Sequence, residues 1–334
     1  MVNVHGQRGT SDPDGQTLDR SHPDGRPLDG PDLGRVGAEA QAIRELLERQ
    51  SLLYRSTVRP IAFEPAEPPL IRAFWEAVGW APLFAAGRIT NPHVASGITT
   101  VRQRLAEYGA EEHFTLTEAD LPSRYRLVYA DNDGIGFAVT DEHEGVADPA
   151  VLSVLWDDNE IVPYAPSYLR LSAEAVLSAA FGSWYSIWLT APAERTLVPG
   201  GGAVERPFPL LVPGAHRLDP DRWLLRSTEH SGPTTAWLLA APGFEHLVEW
   251  LHGQNLDGLR IARLPGDTLR RTGPLRVADG TPVRLSGTDE PDPDRCHRAG
   301  WIGGIAVIVE ERGDRLTIAV NPRHRASLEA LLDG

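Results

Sequence analysis

The sequence predicts an α+β protein: a twisted, mainly antiparallel sheet backed by helices, followed by a second, smaller α+β domain. Three observations predict it. Short apolar runs bounded by Asp, Asn, Gly and Pro recur between Tyr125 and Tyr164, which is strand spacing. A long helical stripe, Ser172 to Trp188, follows them. Beyond a Pro- and Gly-rich stretch at 191–207, strands, a helix and a hairpin reading Trp301 to Val320 form a second set.

The elements read in order as follows. Residues 1–36 are rich in Gly, Pro, Asp and Ser, and Pro13-Asp14-Gly15 with Leu18-Asp19 recurs as Pro23-Asp24-Gly25 with Leu28-Asp29. Pro-Asp-Gly forms turns, and too few apolar groups accompany it to offset ordering entropy, so a disordered tail is expected. From Val36 to Arg55 the residues Ala40, Ile43, Leu46, Leu47 and Leu53 fall near one helical stripe. A second helix is expected from Pro69 to Val78, with Leu70, Ala73, Phe74 and Ala77 on one face and Gly79 as its stop. Thr99 to Tyr108 reads as another helix.

Tyr125–Tyr129, Gly134–Thr140, Ala150–Trp156 and Ile161–Tyr164 read as strands. Asp131-Asn132-Asp133-Gly134 has hairpin-turn chemistry, because Asn, Asp and Gly tolerate positive φ. In the helix Ser172–Trp188, Ser172 is the expected N-cap, and Leu177, Phe181, Trp184 and Trp188 share a face. Residues 191–207 are the expected linker between a domain at 37–190 and one at 208–334. There, Asp221–Ser227 and Thr234–Ala240 read as strands and Gly243–Leu251 as a helix. Trp301–Glu310 and Arg315–Val320 read as strands around Glu311-Arg312-Gly313-Asp314, and Asn321 caps a last helix at Pro322–Leu332.

Composition narrows the chemistry. At 334 residues the chain fits about two domains. Its net charge is −14, which argues against nucleic acid, since phosphate neutralisation needs a clustered positive surface. An acidic protein suits a basic partner, with steering that salt weakens. All 32 basic residues are arginine, so a Walker A lysine, a kinase lysine and Schiff-base chemistry are excluded. The single cysteine, Cys296, forms no intrachain disulfide and fits a reducing compartment. No apolar signal region and no long apolar run occurs, so the expectation is a cytoplasmic protein that spans no membrane.

No motif specifies catalysis, metal or cofactor. His246 and Glu249 stand i, i+3 on the expected helix with His252 nearby, but HExxH is absent, and exposed or capping histidines are expected. Cys296-His297, expected in a loop, lacks a second ligand pair. The Asp131–Gly134 turn fails the calcium-loop pattern, because Tyr129 and Thr140 occupy ligand positions. No Gly-x-Ser-x-Gly occurs, and Gly200-Gly201-Gly202 reads as linker because no Rossmann spacing follows.

From about residue 70 to 188 the order of elements resembles the SUKH superfamily. The residues that carry this are the short aromatic helix IRAFWEAVG (71–79), the Tyr-led strand and turn YRLVYADNDGIGFAV (125–139), Asp148-Pro149-Ala150-Val151 opening the next strand, and the phrase Tyr164 to Tyr168 before the closing helix. Ala150 stands where the family commonly has a second proline, and Phe137 where many members have tryptophan. The resemblance implies a sheet backed by helices and function by binding; bacterial members are largely immunity proteins that neutralise toxins, and some eukaryotic members regulate cell-wall assembly.

The expected function is therefore non-catalytic protein binding, with a basic toxin domain as the partner the resemblance implies. The expected contact set is the acids on loops of the first sheet, Asp131, Asp133, Glu142, Glu144, Asp148, Asp157, Asp158 and Glu160, with Trp156 beside them. No cofactor, metal, nucleic acid or membrane is expected. Two alternatives stay open: an enzyme acting through carboxylates around 131–148, and a structural or regulatory scaffold for a host protein.

Overall fold

A computed structural model of the chain describes residues 32–54, 68–82, 84, 126–130, 134–138, 148–155, 160–182, 184–193, 197, 204–227, 234–254, 260–277, 280–288 and 295–333. Residues 1–31 of the expected tail, the Thr99–Tyr108 helix and Gly200–Gly202 lie outside these residues, whereas 33–36, expected in the tail, are helical with Val36 buried. The fold is α+β with three antiparallel sheets, as the strand spacing predicts.

Helices α1 (Leu33–Tyr54) and α2 (Pro69–Val78) come first. The bounds of α2 follow from its ends: Pro69 occupies the first helical position, and Gly79 takes φ 74° while its N–H closes on the Trp75 carbonyl at 2.8 Å. Its residues Leu70, Ile71, Phe74, Trp75 and Val78 are all buried. The first sheet is a meander of β1 (Arg126–Ala130), β2 (Gly134–Ala138), β3 (Val151–Leu155) and β4 (Glu160–Ala165). Helix α3 (Tyr168–Phe181) follows.

The second sheet contains β5 (Tyr185–Pro192), β6 (Ala215–Asp219), β7 (Arg222–Arg226), β8 (Thr234–Ala241) and β9 (Arg260–Ile261), in the order β6-β7-β8-β5-β9. Helix α4 (Phe244–His252) leads towards a third sheet of β10 (Asp267–Thr272), β11 (Val283–Thr288), β12 (Arg295–Ile302), β13 (Ile305–Arg312) and β14 (Arg315–Val320), ordered β10-β14-β13-β12-β11. A single 3-10 turn, Pro322–His324, precedes α5 (Arg325–Asp333), and Asn321 caps it by accepting from the Arg323 N–H at 3.1 Å.

Strand alternation sorts the cores. On one face of the second sheet, Trp223, Leu225, Leu238 and Ala240 pack with Phe74, Trp75, Val176 and Phe181 of α2 and α3. On its other face, Leu224, Trp237 and Leu239 meet Phe244, Leu247 and Leu251 of α4 together with Ala299, Ala306, Ile308 and Ala319 of the third sheet. The far face of that third sheet packs Leu269, Val309, Leu316 and Ile318 under Leu328 and Leu332 of α5. The layers therefore run α1–α3, second sheet, α4, third sheet, α5.

This order overturns the expected linker at 191–207. Strand β5, before that stretch, pairs along its full length with β8, after it, from Tyr185↔Ala241 to Pro192↔Thr234. Glu39 of α1 also accepts hydrogen bonds from the backbone N–H groups of Leu210 and Leu211, and the Arg170 Nε–H of α3 donates to the Leu210 carbonyl at 3.1 Å. One apolar core spans Val36 to Ala240, so the helices at 37–190 and the sheet beyond fold as one packing unit.

Two expected elements also divide. The helix at 172–188 is α3 plus β5: the helix ends at Gly182, and the chain then adopts period 2, with Ile187, Leu189 and Ala191 buried and Trp188 at 38% exposure between them. Ser172 lies buried inside α3, and Ser167 is the N-cap. The run Trp301–Glu310 splits at Gly303-Gly304, both at positive φ (57° and 85°), which is the backbone a two-residue hairpin turn demands.

Candidate functional site

Of the expected contact set, Asp148 and Glu160 fall within the described residues; Asp131, Asp133, Glu142, Glu144, Trp156, Asp157 and Asp158 lie outside them. Asp148 is a correction. It is 1% exposed, and its carboxylate accepts from the Ser167 hydroxyl at 2.5 Å and from the Leu169 N–H at 3.0 Å. The Ser167 oxygen in turn accepts from the Arg170 N–H at 3.0 Å. Two oxygens thus satisfy donors left open in the first turn of α3, and the negative charge sits at the positive end of the helix. The Tyr168 N–H closes on the Pro149 carbonyl at 2.9 Å, so Asp148-Pro149 is stitched to the helix start and offers a partner no carboxylate. Glu160, by contrast, is exposed at the first position of the edge strand β4.

Glu249 reaches Arg222 at 3.5 Å. His252 is half-buried, with its ring edge-on to Trp301 at 4.9 Å between centroids. Its Nδ1 lies 3.0 Å from the Ala299 carbonyl, which can only accept, so Nδ1 carries the proton. The Ser286 hydroxyl, also 3.0 Å from Nδ1, donates to the His252 carbonyl at 3.0 Å. With Nδ1 protonated it cannot take a proton from Ser286, so this Ser–His contact fastens α4 to the third sheet and does not activate a nucleophile.

Cys296 and His297 are consecutive residues of β12, not of a loop, and side chains at consecutive strand positions leave on opposite faces. They cannot close on one ion. Among the described residues no group of three or more His, Cys, Asp or Glu side chains is placed to hold a metal.

A cleft of about 710 Å³ opens between β10, the loop after it and α5, lined by Arg270, Arg271, Arg276 and Arg325 with Glu329 and Asp333. Arg271 is held by Asp333 at 2.5 Å, and Arg325 by Asp267 at 2.6 Å and Glu329 at 3.1 Å. The hydrogen bond from Arg325 holds the Asp267 carboxyl below its usual range. These ion pairs anchor α5 to β10 and occupy two of the four guanidinium groups.

Outside the expected contact set, His216, Arg226 and Trp237 stand together on the second sheet, with Arg206 beside them. The usable signal was alternation in DRWLLRS and TTAWLLA, which places Arg226 and Trp237 among inward positions once the two strands are paired. No family model, curated protein or solved structure matches this chain. Among the described residues no helix is long and apolar enough to cross a membrane.

Proposed function

We propose that the protein acts by binding a protein partner with a basic surface, and that the partner is a toxin domain neutralised by occlusion, the role that the SUKH resemblance implies. The observation that carries this reading is the uneven distribution of charge. Residues 37–190 hold 11 arginines against 21 acids, whereas residues 191–334 hold 17 against 19. An excess of negative charge in that part of the chain raises the encounter rate with a basic partner and favours its approach there.

Glu160 supports the same reading. It stands exposed at the start of β4, which is an edge strand of the first sheet among the described residues. A cytoplasmic location goes with this role.

The test is capture on the tagged full chain from a source lysate at low and then raised salt, followed by binding of the purified captured protein. A stoichiometric basic partner that releases with salt, loses its own activity when bound, and binds Glu160→Arg more weakly supports the proposal. Absence of a basic partner, or turnover of a small substrate by the chain alone, overturns it.

A further inference from the structure

At one end of the second sheet, four side chains make a cationic corner. Glu205 and Arg217 form an isolated antiparallel bridge, and continuing that register sets Arg206 beside His216. His216 lies opposite Leu224, and Arg226, two residues further along β7, lies opposite Trp237. Directly opposed residues share a face, and residues two apart on a strand do too. Arg206, His216, Arg226 and Trp237 therefore belong to the α4 side of the sheet. Glu205 and Arg217, ion-paired at 3.2 Å, belong to the opposite side and neutralise one another there.

Among the described residues the corner has cations without counterions. Arg206 and Arg226 make no ion pair among the described residues. The Arg226 guanidinium lies 5.9 Å from the centre of the Trp237 ring, and the His216 and Trp237 rings are 6.3 Å apart between centroids. His216 and Trp237 are each only 4% exposed, yet among the described residues His216 Nδ1 and Trp237 Nε1 have no hydrogen-bond partner. Buried ring nitrogens are ordinarily satisfied by protein or by ordered water, so these two neighbouring nitrogens are open to a further polar partner. The indole can only donate, and both guanidinium groups can only donate. Three obligate donors around one neutral imidazole, with two positive charges, describe a receptor for a doubly negative acceptor.

We propose that this corner binds the phosphate group of a small phosphorylated ligand, gripped by Arg206 and Arg226 and by the Trp237 N–H, with His216 as the fourth contact. The two fixed charges match a phosphate dianion. The indole N–H gains the acceptor it lacks. The strong net acidity of the chain, −14, does not cancel this local field at Glu205, the acid next to Arg206 in sequence, because that carboxylate is engaged by Arg217 on the other face. Burial and the neighbouring Arg206 and Arg226 hold the His216 imidazole down to about 4. An anion seated between the arginines opposes their effect and raises that value.

The experiment follows the His216 ring nitrogens by NMR in the full chain labelled with nitrogen-15 histidine. The pH titration is run with inorganic phosphate and with chloride at matched ionic strength. Phosphate raises the His216 midpoint by about one unit or more and chloride does not. Equilibrium dialysis of inorganic phosphate at neutral pH shows binding that falls about tenfold or more in Arg226→Met and in Arg206→Met, since loss of one charge-assisted contact is of that order. Arg206 is exposed, so its variant keeps the test valid should Arg226→Met fold poorly. An unchanged midpoint, an equal shift with chloride, or phosphate binding undiminished in Arg206→Met overturns the proposal.

Discussion

The indole N–H of Trp75 donates to the hydroxyl of Tyr168 across 2.8 Å, and the two side chains are 0% and 3% exposed. The bond joins the middle of α2 to the first residue of α3 inside the apolar core. Removing the acceptor leaves a buried donor unsatisfied, so Tyr168→Phe lowers the unfolding free energy by about 1–3 kcal/mol in denaturant titration. Trp75→Phe costs more through lost volume, and the double variant costs less than the two single changes summed. Strict additivity in that cycle shows that the hydrogen bond contributes nothing.

Asp148 and Glu160 separate a structural acid from a surface acid. Asp148→Ala strips the acceptor from Ser167 and Leu169 at the start of α3 and lowers stability by roughly 1–2 kcal/mol, the usual worth of an N-terminal cap. Under conditions where it is fully folded, its partner affinity equals that of the unaltered chain. Glu160→Arg behaves in the opposite way, with unchanged thermal stability and weaker binding at low salt. An Asp148→Ala protein as stable as the parent but deficient in binding contradicts this assignment.

Punctuated elements were legible in the sequence. Pro69 and Gly79 bracket α2, and strong apolar runs mark β3, β8, β13 and β14. Strands β10 and β11 went unread because DTLRRT and VRLSGT are edge strands with few buried groups; Leu269 is the one fully buried side chain of β10, so no apolar alternation announces it. Trp188 misled because its neighbours satisfy a helical stripe and a strand alternation equally, and pairing of β5 with β8 decides between them. Asp148 looked like a loop acid because its partners, Ser167 and Leu169, lie about twenty positions on. The corner at His216 was legible only in part: alternation marks Arg226 and Trp237, but register across three strands brings His216 to them.

His216 gives stability a pH dependence of definite sign. Its folded-state value is lowered from 6.5 to about 4, first by burial and then by Arg206 and Arg226. Between those limits the unfolded chain binds a proton that the folded chain does not, so stability rises with pH across the window and is complete above 6.5. Acidification from 6.5 to 4 removes on the order of 3 kcal/mol through this one group. In His216→Phe that part of the slope disappears, as measured by denaturant unfolding at a series of pH values. A variant with the parent slope between pH 4 and 6.5 shows that other groups are responsible.

Glu39 carries the opposite sign. Its carboxylate, on α1, accepts from the Leu210 N–H at 3.0 Å and the Leu211 N–H at 2.8 Å. Burial nevertheless pushes its pKa above 4.5, outweighing those two hydrogen bonds and the nearby Arg35 and Arg170. The folded state thus holds the Glu39 proton more tightly than the unfolded state, so this group's contribution declines as pH rises from 4.5 through the folded value and is constant beyond it. Glu39→Gln removes the titration: the stability of the parent relative to this variant is highest in acid and falls towards neutrality. Glu39→Ala removes the acceptor as well, leaving two backbone donors unmet at the turn that joins α1 to the second sheet, and costs about 1–3 kcal/mol at neutral pH. If the parent gains on Glu39→Gln as pH rises, the two hydrogen bonds outweigh burial and the sign assigned to this carboxylate is wrong.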